Sequence, residues 1–116
     1  MILVITNNRI EGVHYWKKAI PPVEYLKYPH RHIFWIKCKF AVDHDDRDVE
    51  IIMTQSKIQQ YINSKYGHPA DFGSLSCEMI AKEILNNFDK CVSCEVLEDG
   101  YGGAEVDRRS HEKNRI

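Results

Sequence analysis

No apolar run in this sequence is long enough to span a bilayer. The longest, residues 1–5, breaks at once into Thr6-Asn7-Asn8, which leaves no room for a membrane helix and lacks the shape of a signal peptide. An excess of charge of one sign is missing too. Sixteen Lys and Arg stand against seventeen Asp and Glu, a formal net charge of -1, and no long basic run occurs, so neither a large nucleic acid nor a polybasic membrane contact is expected as a partner. There is no internal repeat and no loop framework of cysteines. Cys38, Cys77, Cys91 and Cys94 fall inside periodic segments and read as reduced and buried. These absences lead to the expectation of a soluble, cytoplasmic protein. What is present is enough for one core: of 116 residues, 43% are hydrophobic and 28% charged, which supports a globular body but is too short for two domains. A single domain is expected over residues 1–107, with a charged, flexible C-terminal tail at 108–116.

Residues 2 to about 15 are rich in β-branched side chains and alternate loosely, which predicts a strand with Ile10, Gly12 and His14 on one face. Residues 17–29 are charged, aromatic and proline-marked, so they read as a long loop. From residue 30 to 42 the alternation is clean: His30, His32, Phe34, Ile36, Cys38 and Phe40 share one face, and Arg31, Ile33, Trp35, Lys37 and Lys39 the other. After a polar turn at 43–48, residues 49–53 read as the returning strand of a hairpin. A helix capped by Thr54 or Ser56 follows, with Ile58, Tyr61, Ile62 and Lys65 at helical spacing and Gly67 and Pro69 as its stop. A second helix opens at Ser74 or Ser76, and its stripe of Cys77, Ile80, Ala81, Ile84, Leu85 and Phe88 is expected to bury against a sheet. That placement makes Cys77 a core residue rather than a nucleophile. Residues 91–98 and 104–107 read as two strands joined by a Gly-rich turn. The order predicts an α+β fold, an antiparallel sheet with two consecutive helices on one face. One such layer is thin, so sheet extension or barrel formation between subunits is the expected way to complete its burial.

Three imidazoles carry the main chemical signal. An HxH pair on a strand points His30 and His32 to the same side, and an antiparallel neighbour can bring His14, at the end of the first strand, beside them. Three histidines with one open position form a zinc arrangement, because neutral imidazole suits that ion and the open position takes water or substrate. On spacing alone, unrelated surface or strand-end histidines are the commoner outcome. Glu98 shares a row with Val92, Cys94 and Val96, where a carboxylate needs a partner. Either it faces solvent where the strand ends, or its two oxygens accept from adjacent N–H donors of a guanine-like or pterin-like ring. Cys91 and Cys94 are three apart, which in a regular strand places them on opposite faces and favours a structural pair over a metal or redox site.

The ordered set Ile10-Glu11-Gly12-Val13-His14, Pro29-His30-Arg31-His32, Ser76-Cys77-Glu78-Met79-Ile80-Ala81 and Val96-Leu97-Glu98-Asp99 resembles the 6-pyruvoyl-tetrahydropterin synthase and 6-carboxy-tetrahydropterin synthase family over residues 1–107. The resemblance implies the tunnelling fold (T-fold), in which a small antiparallel sheet with two helices assembles into an oligomeric barrel. It implies that His14, His30 and His32 bind zinc, that Glu98 anchors a pterin or purine-like ring at a subunit interface, and that dihydroneopterin triphosphate is the first substrate to consider. The chain departs from the family in two places. Family enzymes carry a catalytic cysteine shortly before the HxH pair, whereas no cysteine here precedes Cys38; and where they carry an Asp-His pair between the helices, the nearest candidates are His68 and Asp71. The resemblance thus leaves a zinc-dependent, lyase-like enzyme with His68 or Asp71 as base, or a homo-oligomer that binds or sequesters a pterin, purine or nucleotide with its chemistry altered or lost. A structural oligomer with a vestigial pocket is the third expectation.

Overall fold

A computed structural model describes residues 1–108 of the chain. The elements run β1 (Leu3–His14), β2 (His30–Ala41), α1 (Ile51–Tyr66), β3 (Ala70–Gly73), α2 (Cys77–Asn86), β4 (Cys91–Glu98) and β5 (Gly102–Asp107), with a short 3-10 turn at Glu24–Lys27 in the long loop. They form one five-stranded sheet in the order β3-β1-β2-β4-β5. All neighbours are antiparallel except β1 and β3, which are parallel. The class is α+β, but the sheet is mixed and the helices are separated by a strand, which corrects the expected antiparallel sheet with consecutive helices. Ala70-Asp71-Phe72-Gly73 is too short for its alternation to show between Pro69 and Ser74. Among the described residues, no helix is long and apolar enough to cross a membrane.

Both helices cover one sheet face. Ile58 and Ile62 of α1 and Ile80, Ala81 and Ile84 of α2 pack with Ile10, Phe34, Ile36, Cys38 and Val96 in a single buried cluster, the arrangement that period-2 strands and period-3.6 helices require. Glu50 caps α1 by accepting from Met53 N at 2.6 Å, and Gly67 ends it at φ 90°. Ser76 caps α2 by accepting from Met79 N at 3.2 Å. The expected strand at 49–53 is therefore the entrance of a helix, and Thr54 lies inside that helix rather than capping it. The apolar run Ile51-Ile52-Met53 suits either state by composition; with Glu50 satisfying a free helical N–H, the helix wins. The place beside β2 is taken instead by β4.

The β2–β4 register slips between Lys39 and Phe40, so that Cys38 faces Cys94 and Phe40 faces Cys91. The slip adds one residue to β4 and changes the parity of its alternation. Cys91 and Cys94 consequently both point into the core, against the expected opposite faces, and Cys38 Sγ lies 3.8 Å from Cys94 Sγ. All four cysteines are free and buried. Of the expected flexible tail at 108–116, only Arg108 lies within the described residues. It is tied down, donating from Nη2 to Leu85 O at 2.7 Å and from Nε to Cys91 O at 3.0 Å.

β5 approaches β4 so closely that a Cβ on Gly103 would sit 1.8 Å from Val96 O and 2.8 Å from Leu97 Cα. No rotamer relieves a clash with backbone. Gly103→Ala is expected to push β5 off the sheet and to cost about 1–3 kcal/mol or more, the range for overpacking, read as a lowered thermal midpoint. A midpoint equal to the parent chain's would contradict the close approach.

Candidate metal centre

The pairing of β1 with β2 sets His14 opposite His30 and Gly12 opposite His32. Side chains of one parity on both strands face the core, so all three imidazoles emerge on the helix-covered face at the end of the sheet. Glu98, the last residue of β4, is paired with Phe34 and reaches the same place. One ligand atom from each of His14, His30, His32 and Glu98 lies within 4.8 Å of all the others. The ring centroids are 4.6 Å apart for His14 and His30, 5.4 Å for His14 and His32, and 5.0 Å for His30 and His32. Gly12 makes room for the ring of Phe34 beneath the histidines: a Cβ there would lie 2.9 Å from Phe72 and 3.1 Å from Phe34.

Each imidazole is held from behind through Nδ1. His14 Nδ1 lies 2.9 Å from Leu75 O, His30 Nδ1 2.9 Å from Tyr28 O, and His32 Nδ1 2.7 Å from Asp99 Oδ2. A carbonyl or carboxylate oxygen only accepts, so each Nδ1 carries the hydrogen and each neutral ring presents its Nε2 lone pair to the cluster. This is the support that metal-binding histidines ordinarily have. His14 Nε2 and His32 Nε2 are buried without a hydrogen-bond donor, although Glu98 Oε2 stands 2.7 Å from the first and 3.7 Å from the second. The 2.7 Å contact is an ion pair only when His14 takes a second proton; otherwise two lone pairs face each other. A cation held by the three Nε2 atoms, with the Glu98 carboxylate beside it to balance its charge, relieves all of these contacts at once, whereas a proton serves one ring. The donor set therefore fits a metal ion.

A cavity of about 290 Å³ opens beside the cluster, walled by Trp16, Leu26, Leu75 and Cys77 together with His14, His30 and Glu98. Leu26 of the Lys17–Pro29 loop joins Trp16 in this wall because Trp16 N donates to Leu26 O at 2.7 Å, folding the loop back. Cys77, the first residue of α2, is only 6% exposed and belongs to the core cluster as expected, yet it also meets the cavity. Burial first, and then the negative charge of Glu98, push its thiol up to about 12, so it is a neutral donor rather than a thiolate. The hydrogen bond from Ile33 N at 2.8 Å, and then His32, hold the Asp99 carboxyl below its usual range.

The structure thus brings together His14, His30, His32 and Glu98. It places the other two sequence candidates elsewhere within the single chain. His68 is exposed in the turn between α1 and β3, and Asp71 is exposed opposite Val13, on the face away from His14, with Oδ1 accepting from Gly73 N at 3.0 Å. Sequence reasoning missed Asp99. An Asp-Gly pair after a strand reads as turn chemistry, and only the position directly after Glu98 hinted at more. A scan against protein-family models and a search of curated proteins found no match to this chain.

Proposed function

We propose that this chain is a zinc-binding protein of the tunnelling-fold type, similar to the 6-pyruvoyl and 6-carboxy tetrahydropterin synthases, that takes a pterin-like or purine-like heterocycle in the cavity beside the three histidines. The observation that carries the reading is the convergence of three imidazole Nε2 atoms, each with its Nδ1 already anchored. When bound, zinc supplies a Lewis acid for a substrate oxygen or water. The chain's own residues do the recognition. Glu98, at the boundary of cluster and cavity, accepts from two adjacent ring N–H groups, and Trp16 and Leu26 cover the apolar faces of a flat ring. Homo-oligomerisation into a barrel belongs to the same reading. It is supported by the sheet face opposite the helices, where Ile5, Ile33 and Trp35 are exposed, and by the two sheet edges at β3 and β5, which no other strand covers among the described residues.

Binding without the family's turnover is favoured over full catalysis, because no cysteine precedes Cys38 and the base candidates His68 and Asp71 lie away from the cavity of their own chain. The alternative assignment within this reading is a protein that sequesters a purine nucleotide. Incubation with a panel of pterins and purine nucleotides, followed by mass spectrometry of bound and released material, tests it. Retention of an unaltered heterocycle is expected, with little or no conversion of dihydroneopterin triphosphate. Turnover near the median enzyme rate of about 10 per second would contradict the binding-only assignment, and retention of no heterocycle would contradict the proposal.

A further inference from the structure

His32 differs from the other two imidazoles in what stands behind it. His14 and His30 donate to backbone carbonyls, but His32 donates to a carboxylate, Asp99 Oδ2 at 2.7 Å. The next residue back along the chain is Glu98, whose Oε2 is 3.7 Å from His32 Nε2. One ring is therefore held between two successive acids, one on each nitrogen. The turn that delivers both is fixed. Asp99 (φ 55°) and Gly100 (φ 77°) are both left-handed, at the centre of a β-turn closed by Tyr101 N donating to Glu98 O at 3.0 Å, for which Asp-Gly is suited, within the three-residue loop between the paired Glu98 and Gly102. It is latched across β2 at a single residue: Asp99 N donates to Ile33 O at 2.8 Å, and Ile33 N donates to Asp99 Oδ1 at 2.8 Å. Gly100 rests on the Trp35 ring, which would be 2.9 Å from a Cβ there.

We infer that Asp99 is a positioning residue for the metal centre: its carboxylate sets the orientation and donor strength of His32 and, through the Ile33 latch, holds Glu98 at the edge of the cluster. The inference rests on the metal-centre reading above. Its chemistry is particular to a carboxylate. The two oxygens meet two donors, Ile33 N–H and His32 Nδ1–H, and an amide in the same place turns an NH₂ toward one of them. The negative charge behind the ring also makes Nε2 a better donor to a cation, an effect no backbone carbonyl supplies as strongly.

The test uses Asp99→Gly and Asp99→Asn in the full chain. Glycine and asparagine both tolerate the left-handed backbone that Asp99 adopts, so the hairpin is kept while the carboxylate is removed. Zinc affinity, measured by competition with a chromophoric chelator, is expected to fall about 10- to 100-fold in each variant, with the metal-free thermal midpoint close to the parent's. In a His32→Ala background the same substitutions are expected to change zinc affinity little, because the ring through which Asp99 acts is gone. Parent-like zinc affinity in both variants overturns the inference and leaves the metal centre standing. An equal loss with and without His32 also overturns it, since the effect would then be a general one on the turn. A parent chain that binds no zinc overturns the metal centre and this inference with it.

Discussion

Replacing His30 and His32 together by alanine is expected to strip the protein of zinc. The parent chain should carry up to one ion per chain after purification, and the double variant close to none. The size of the effect follows from what is left: His14 is one donor where zinc normally has three or four from protein. Losing a mere supporting partner of a ligand weakens binding about 10- to 100-fold, so losing two ligands outright should exceed about 100-fold. His68→Ala is the matched control, because that imidazole is exposed in the α1–β3 turn away from the cluster, and it should retain full metal content. Elemental analysis of the three proteins decides the matter. Full zinc in the double variant would place the metal elsewhere.

Glu98→Ala is expected to leave zinc in place, since three imidazoles remain, while abolishing retention of the heterocycle. Two charge-assisted hydrogen bonds at about 1.5–3 kcal/mol each correspond to at least about 100-fold in Kd. Glu98→Gln, with one acceptor and one donor, should fall between the parent and the alanine variant. Folding should survive both changes, because the Glu98 side chain is one-third exposed and outside the buried cluster. Isothermal titration with the heterocycle that the panel identifies, alongside zinc analysis, separates the roles. Unchanged heterocycle affinity would remove Glu98 as the anchor. Loss of zinc together with the heterocycle would make the carboxylate a metal ligand instead.

How much of this was legible in the sequence depended on the length of each periodic signal. β1 and β2 each have twelve residues of alternation, enough to fix both their extent and the face they bury. The antiparallel pairing that brings His14 beside His30 then follows from the loop between them. β4 was readable over its whole length, and Glu98 could be placed on its apolar row; that this row ends on the histidine face follows only from the β2–β4 register. β3 was not readable, because four residues hold only two core positions, Ala70 and Phe72. The start of α1 was misread because Ile51 and Ile52 are β-branched, and Ile52 is 73% exposed, so no buried stripe marks the first turn. The facing of Cys91 and Cys94 was lost to a bulge, a one-residue event that leaves no mark on composition. At the site, the residues that meet in the cluster were visible as a strand-borne HxH and its neighbour. The groups behind them were not: Leu75 O and Tyr28 O are backbone atoms of any residue type, and Asp99 is disguised as an ordinary turn.

X-ray absorption at the zinc edge of the purified parent protein addresses the proposed centre most directly. The structure leads to a shell of light donors only, at about 2.0–2.1 Å, with the outer-shell scattering of about three imidazoles. A sulfur at about 2.3 Å, which would bring a cysteine thiolate such as that of Cys77 onto the metal, or a shell with no imidazole scattering, would contradict it.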